Sequence, residues 1–109
     1  MARMDESEKK SLLFRIGLGR RAGKITFGTD SVCDDVRSKK AYLVLIAENA
    51  SDNTKKRITN CAAYYNIPTK TLNGVTSDEL GASIGKSTAA SVAITDENIV
   101  KLILSTRKE

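Results

Sequence analysis

Residues 41–47 read AYLVLIA, an uninterrupted apolar run that contains β-branched and aromatic side chains. The run is far too short to cross a bilayer, and its length suits a strand better than a buried helix. Apolar side chains at every position, without the alternation of a half-exposed strand, predict burial on both faces. We therefore expect a central strand in a sheet whose two faces are both covered by helices.

Helical and extended patterns alternate on both sides of this run. Toward the N-terminus we predict a helix over 7–20, a strand over 24–27 and a second helix that begins at Gly28-Thr29. Toward the C-terminus we predict helices that open at 51, 76 and 96, with strands over 68–72 and 89–95 between them. This alternation indicates an α/β fold, a three-layer αβα sandwich of about four strands with helices on both faces. Residues 1–109 leave room for one such domain.

Caps and apolar faces support the predicted helices. Ser7 is placed to cap the first helix, Thr76 and Glu79 form a capping-box pattern for a helix that ends at Gly85, and Asp96 caps the last. Helical spacing predicts these core-facing side chains: Leu12, Leu13, Ile16 and Leu18; Val32, Cys33 and Val36; Ile58, Cys61, Ala62 and Tyr65; Ile99, Leu102 and Ile103.

The charge balance is positive and uneven. The chain has 18 Lys and Arg against 13 Asp and Glu, a net charge of +5. Residues 1–28 contain seven of the basic residues and three of the acidic ones. A localised positive field attracts polyanions, of which nucleic acid is the commonest, although a solubility charge or a basic arm explains the same count.

The sequence offers little for catalysis or for metal binding. It has no His, and its two cysteines cannot by themselves form a four-ligand zinc site. Gly85-Lys86-Ser87-Thr88 resembles the end of a nucleotide-binding P-loop, but the glycine required five positions earlier is Leu80, and a helix precedes the motif where a strand is needed. We therefore expect a protein that is not an enzyme and that carries no cofactor and no metal.

The expected location follows from similar observations. Nothing at the N-terminus resembles a signal peptide, and no apolar run is long enough to span a membrane. We expect a cytoplasmic monomer that does not contact membranes and whose Cys33 and Cys61 are reduced thiols.

Two predicted helix starts are candidate anion sites. Lys55 and Lys56 fall near the start of the third helix, where they either hold a phosphate together with the helix N–H groups or are solvated. Gly28, Thr29, Asp30 and Ser31 open the second helix, and this is either an ordinary cap or a surface for phosphates and base edges. Three basic residues that precede it in sequence favour the anion site: Arg20, Arg21 and Lys24.

Several segments together carry a resemblance to a known family. They are LGRRAGK at 18–24, Gly28, VLIAENA at 44–50, NTKK at 53–56, Ile67-Pro68, Leu80-Gly81 and Ile84-Gly85. In order and spacing they resemble the small bacterial members of the ribosomal protein L7Ae family over roughly residues 10–104. The resemblance implies an αβα sandwich with a four-stranded mixed sheet.

The resemblance also implies a function. Members of this family typically bind kink-turn RNA, a bent internal loop built on sheared G·A pairs, and many are associated with the ribosome, so structured RNA, including ribosomal RNA, is the implied partner. Carried over to this chain, one binding surface is formed by Gly28, Thr29, Asp30 and Ser31. The other is formed by Ile84, Gly85, Lys86 and Ser87, with Lys86 at a phosphate.

This chain departs from the family pattern at the first surface. The strong RNA binders of the family have Asn-Glu after the Gly-Thr pair and a Lys three residues beyond the Glu, where this chain has Asp30, Ser31 and Asp34. Asp34, with Asp35 beside it, introduces repulsion where phosphate should lie. Two hypotheses stay open: a non-catalytic binder of structured RNA, or a protein-interaction module on the same fold with weakened RNA affinity.

Overall fold

A computed structural model describes residues 5–105. Helices and strands alternate in the predicted order: α1 (Glu6–Arg21), β1 (Ile25–Phe27), α2 (Thr29–Arg37), β2 (Leu43–Ala47), α3 (Asp52–Tyr64), β3 (Thr69–Leu72), α4 (Ser77–Ser83), β4 (Ser91–Ile94) and α5 (Glu97–Leu104). The strands form one four-stranded sheet in the order β1-β4-β2-β3. The pair β2–β3 is parallel, and β4 is antiparallel to both of its neighbours, so the sheet is mixed. The predicted fold class is confirmed.

The interior strand β2 is buried along its whole length, as its apolar run predicts. Leu43, Leu45 and Ala47 face a core that also contains side chains of α1, α4 and α5. Val44 and Ile46 face a second core, formed with α2 and α3. The alternation of a strand therefore divides one apolar run between two helical layers.

The strand directions bring several loops to one edge of the sheet. Because β1 and β2 are both antiparallel to β4, and β3 is parallel to β2, the strands β1, β2 and β3 all end at the same edge. Helices α2, α3 and α4 begin there, and β4 starts there after the loop that follows α4. The two segments that the sequence singled out, 28–31 and 84–87, both belong to this edge.

Three details of the predicted helices are wrong. Leu18 is half-buried and belongs to neither core, because it lines a groove between α1 and α4. The cap of α1 is Asp5 rather than Ser7, because Asp5 and Glu8 form a capping box two residues earlier, which leaves Ser7 inside the first turn. Leu102 is 37% exposed, because α5 packs through Ile99, Val100 and Ile103 and Leu102 lies outside that stripe. The caps of α4 and α5 and the packing of Cys61 and Tyr65 are as predicted.

One strand is shorter than predicted. Strand β4 covers Ser91–Ile94 instead of 89–95. Ala89 lies outside the sheet because its backbone N–H donates to the carbonyl of Ser77 in α4 (2.9 Å). This hydrogen bond fixes the loop after α4 against the start of that helix.

Gly81 also holds this loop against α4. A Cβ on Gly81 would lie 2.4 Å from Cα of Thr88, a separation that only a backbone shift could relieve. The residue is buried, so the absence of a side chain is what permits the close approach of the two segments.

We expect Gly81→Ala to lower the free energy of unfolding by about 2–4 kcal/mol, because the new methyl group would overlap backbone atoms that are fixed on both sides. Urea denaturation would measure the loss. Ala82→Gly, at the exposed next position in α4, is the matched control and should cost about 0.5–1 kcal/mol. Equal losses in the two variants would contradict the packing role of Gly81.

An ion pair joins α1 to α4. Nζ of Lys9 donates to the carboxylate of Glu79 (2.9 Å) and to the carbonyl of Gly74 (3.3 Å). The hydrogen bond from Lys9 and the backbone N–H of Thr76 lower the pKa of Glu79 below its ordinary 4.5. Glu79 therefore stabilises the fold in its ionised form.

We expect the stability advantage of the native chain over Glu79→Gln to depend on pH. Because the pKa of Glu79 is lower in the folded state, its ionised carboxylate adds stability that is fully present above the ordinary pKa of 4.5. This stability is lost as the pH falls through the lowered pKa of the folded state. Urea unfolding of both proteins from neutral to acid pH would measure the difference. Asp78→Asn, at the exposed neighbouring position, is the control, and a constant difference for Glu79→Gln at every pH would contradict the prediction.

Candidate nucleic-acid interface

The connection between β1 and α2 presents an open helix start. Gly28 has a φ of 91°, a conformation that favours glycine, and it caps α2 without a side-chain hydrogen bond. The first N–H groups of α2, from Thr29 onward, therefore receive no hydroxyl or carboxylate acceptor from the cap residue. Such a helix start carries partial positive charge and suits an anion or a base-edge acceptor.

Two cationic side chains converge on the ring of Phe27, the residue before Gly28. The guanidinium carbon of Arg20 and Nζ of Lys86 each lie 5.2 Å from the centre of the ring. Arg20 also donates to the carbonyl of Ile25 (3.3 Å), which holds its head in place. The ring itself packs partly against the core. The end of α1, the end of β1 and the loop after α4 thus meet at one aromatic side chain.

The loop after α4 has a fixed backbone. The N–H of Gly85 donates to Ala82 and the N–H of Lys86 donates to Gly81, while Gly85 has a φ of 80°. This pair of hydrogen bonds, with a glycine in the left-handed region, is a Schellman motif. Ile84 is buried directly before it. The motif and its buried anchor direct Lys86 toward Phe27, while Ser87 is exposed next to it.

The other basic residues predicted for the site lie in different parts of the molecule. Nζ of Lys55 donates to the carbonyl of Glu48 (2.8 Å), so this lysine fixes the loop before α3, whereas Lys56 is exposed. Lys24 lies at the start of β1, at the other edge of the sheet, with its Nζ 3.9 Å from the carboxylate of Asp96. Arg21 lines a groove between α1 and α4. Of the three basic residues that precede Gly28 in sequence, Arg20 is the one that reaches Phe27.

The acidic residues near the start of α2 have cationic or hydroxyl partners. The carboxylate of Asp30 accepts from Arg57 of α3 (2.6 Å), and that of Asp34 accepts from Arg37 (2.8 Å). The carboxylate of Asp35 accepts from the hydroxyl of Thr26. The hydrogen bond to Asp30, and its charge, raise the pKa of Arg57. Arg57 and Arg37 therefore reduce the repulsion expected from Asp30 and Asp34, whereas the partner of Asp35 is uncharged.

Phe27 and Arg57 are two residues of this surface that sequence reasoning missed. The available signal for Phe27 was an aromatic residue directly before Gly28 and close to a basic cluster. Arg57 continues the basic run that begins at Lys55, but its contact with Asp30 joins two helices and has no sequence signature.

The described part of the chain contains no cluster of three or more His, Cys, Asp or Glu side chains arranged to hold a metal ion. Within residues 5–105, no helix combines the length and the apolar character needed to cross a membrane.

Comparison with solved structures shows that other proteins have this αβα fold. A protein of unknown function from Bacillus halodurans C has a TM-score of 0.76 and 27% identity, over 84% of this chain and 95% of its own. The Giardia lamblia 15.5kD RNA binding protein has a TM-score of 0.73 over 94% of this chain and 87% of its own. Its 19% identity makes this second match a likeness of fold alone.

Sequence comparison gives the family. Residues 10–104 match the model of the ribosomal protein L7Ae/L30e/S12e/Gadd45 family. RNA-binding protein YlxQ of Bacillus subtilis is 39% identical over 90 residues, which cover 83% of this chain and 88% of that protein. The chain belongs to the ribosomal protein L7Ae/L30e/S12e/Gadd45 family, and the resemblance given by the sequence is confirmed.

Proposed function

We propose that the chain is a non-catalytic protein that binds structured RNA of the kink-turn type. The RNA contacts the edge of the sheet that carries Phe27 and Gly28. In this proposal the chain acts in the cytoplasm, as a monomer of one domain and in association with the ribosome. The observation that carries the proposal is the meeting of Arg20 and Lys86 at Phe27, beside the open start of α2. The family and the RNA-binding relative in Bacillus subtilis support it.

In this proposal the start of α2 contacts bases. The hydroxyls of Thr29 and Ser31 both donate and accept hydrogen bonds, whereas the carboxylate of Asp30 accepts from the amino groups of guanine or cytosine. The N–H groups of the first turn of α2 are donors for a phosphate or for a base acceptor. Bent RNA exposes base edges that a straight A-form duplex hides in its narrow major groove.

The cations supply the charge component of binding. Lys86 and Arg20 each lie 5.2 Å from the centre of the same aromatic ring, and we assign the RNA phosphates to the positive surface that they form. Lys56 extends the positive surface to the start of α3, and the exposed backbone of Gly85 leaves room for an extruded nucleotide. Lys55 supports this surface indirectly, through its hydrogen bond to the carbonyl of Glu48.

We expect tighter binding to a kink-turn hairpin than to a straight duplex of equal length. With about 3–5 phosphate contacts, the log–log dependence of affinity on salt should have a slope of roughly −2 to −4.5. Lys86→Gln should make that slope shallower by about 1. Fluorescence anisotropy across a salt series measures both quantities.

The matched control is Lys101→Gln, which removes the same charge from α5, a helix that begins at the opposite edge of the sheet. It should leave the slope nearly unchanged. Equal affinity of the native chain for hairpin and duplex would contradict recognition of bent RNA and leave a basic protein without shape preference.

A protein-interaction module with weakened RNA affinity is the second candidate function. The observation that favours it is the acidic character of α2: Asp34 is 73% exposed in its side chain, and its partner Arg37 lies one turn along the same helix. An exposed pair of this kind neutralises charge without removing the carboxylate from the surface.

Asp34→Lys separates the two candidates. If the native surface already binds RNA, we expect the affinity to rise by less than about tenfold and the salt slope to steepen by about 1, as for one added phosphate contact. Glu97→Lys, the same type of charge reversal at the start of α5, controls for net charge. A rise from undetectable binding to tight binding would instead support the interaction module. Anisotropy with the same hairpin measures either result.

A further inference from the structure

Helix α1 carries a stripe of exposed and half-buried side chains that the proposed interface does not use. Lys10, Phe14, Leu18 and Arg21 follow one another at helical spacing, and all four line an open groove of about 640 Å³ between α1 and α4. Phe14 is 66% exposed, although it is a large aromatic residue in the middle of a helix. From Lys10 to Arg21 the stripe extends over about 16 Å at the rise of an α-helix.

Close packing of two helices forms the floor of this groove. A Cβ on Gly17 would lie 2.8 Å from the carbonyl oxygen of Ser83, so the backbones of α1 and α4 approach each other there. Leu13 and Leu18 form one wall, and Ala82 with Ile84 forms the other. Phe14 lines the same groove and is 66% exposed, so its ring is accessible to a planar ligand.

Charge at the rim of the groove favours a polyanion. Lys10, Arg20 and Arg21 line it, and Glu79 is the one carboxylate among the described residues that do so. Nζ of Lys9 lies 2.9 Å from the carboxylate of Glu79, so that negative charge is already compensated. A groove with uncompensated cations and an aromatic ring has the composition of a track for single-stranded nucleic acid, in which cations follow the backbone and a base stacks on the ring.

The groove is continuous with the candidate nucleic-acid interface. Arg20, Ile84 and Gly85 line the groove, and the same three residues belong to the surface around Phe27. A nucleic-acid strand that leaves that surface past Gly85 would therefore enter the groove without crossing a barrier of like charge.

We propose that the groove between α1 and α4 binds the single-stranded RNA that flanks the structured element, with one unpaired base stacked on Phe14 and its backbone along Lys10, Arg20 and Arg21. The proposal rests on the proposed RNA-binding function and extends the bound region from a folded RNA to the strand attached to it. The continuity with the surface around Phe27 favours RNA over an acidic peptide as the occupant.

A tryptophan at position 14 reports on stacking directly. The natural chain has no tryptophan, so Phe14→Trp introduces a single indole whose emission can be excited selectively over that of the three tyrosines. We expect its fluorescence to be quenched by a single-stranded RNA of about four to six nucleotides and by a kink-turn hairpin that carries the same extension, since base stacking on an aromatic ring is tolerant of sequence. A blunt hairpin without the extension should leave the emission nearly unchanged.

Phe14→Ala tests the contribution to affinity. We expect the native chain to bind the hairpin with a 5′ or a 3′ extension about tenfold more tightly than the blunt hairpin, and Phe14→Ala to abolish that gain without changing the affinity for the blunt hairpin. Tyr64→Ala is the matched control: Tyr64 is 79% exposed and lies on α3, in the opposite helical layer, so its loss should leave the gain intact. Circular dichroism would verify that both variants are folded.

The outcomes separate this inference from the function on which it rests. Quenching by the single strand together with equal affinity for blunt hairpin and duplex would support the groove and contradict kink-turn recognition. The inference would be overturned if no RNA changed the emission of Phe14→Trp, or if Phe14→Ala kept the affinity gain. The groove would then be a candidate site for a protein partner.

Discussion

Burial of β2 on both faces is the constraint on which the other elements depend. A strand whose five side chains are all buried needs an apolar layer on each side, and the alternation of Leu43, Leu45 and Ala47 with Val44 and Ile46 provides one contact surface for each layer. Helices α1, α4 and α5 cover one surface, and α2 with α3 covers the other. A polar substitution in β2 would therefore place a polar group in one core or the other, whereas the same change on an exposed helix face would affect neither.

The same constraint creates the candidate interface. Because β4 is antiparallel to both β1 and β2, and β3 is parallel to β2, three strands end at one edge and their following loops are neighbours. Segments 28–31 and 84–87, far apart in sequence, thereby come to lie on either side of Phe27. The hydrogen bonds of the loop after α4 and the close contact at Gly81 hold one side of this surface, and the glycine turn at Gly28 forms the other. The segments that form this candidate interface are backbone turns rather than long flexible loops.

Local patterns in the sequence were sufficient for most of the fold. The apolar run at 41–47, the helical spacing of Val32, Cys33 and Val36, and the capping box at Thr76 depend on neighbours within one or two turns, so they can be read without a structure. The candidate site was predictable in its segments but not in its contacts. That Arg20 reaches Phe27 while Lys24 lies near Asp96, and that Arg57 pairs with Asp30, depends on strand direction and on packing between helices. The fold class alone does not determine these side-chain contacts.

The position of Arg20 and Lys86 on a single ring has a consequence for the thermodynamics of the chain. The two residues come from opposite ends of the sequence, so the unfolded polypeptide has two separated cations and no joint site. An anion held between them, as proposed, would bind the native state and not the denatured state, and mass action would then add to the stability of the protein. Under the proposed function, folding and ligand capture would be linked equilibria. The bound ligand would act as a non-covalent brace between the first helix and the last third of the chain.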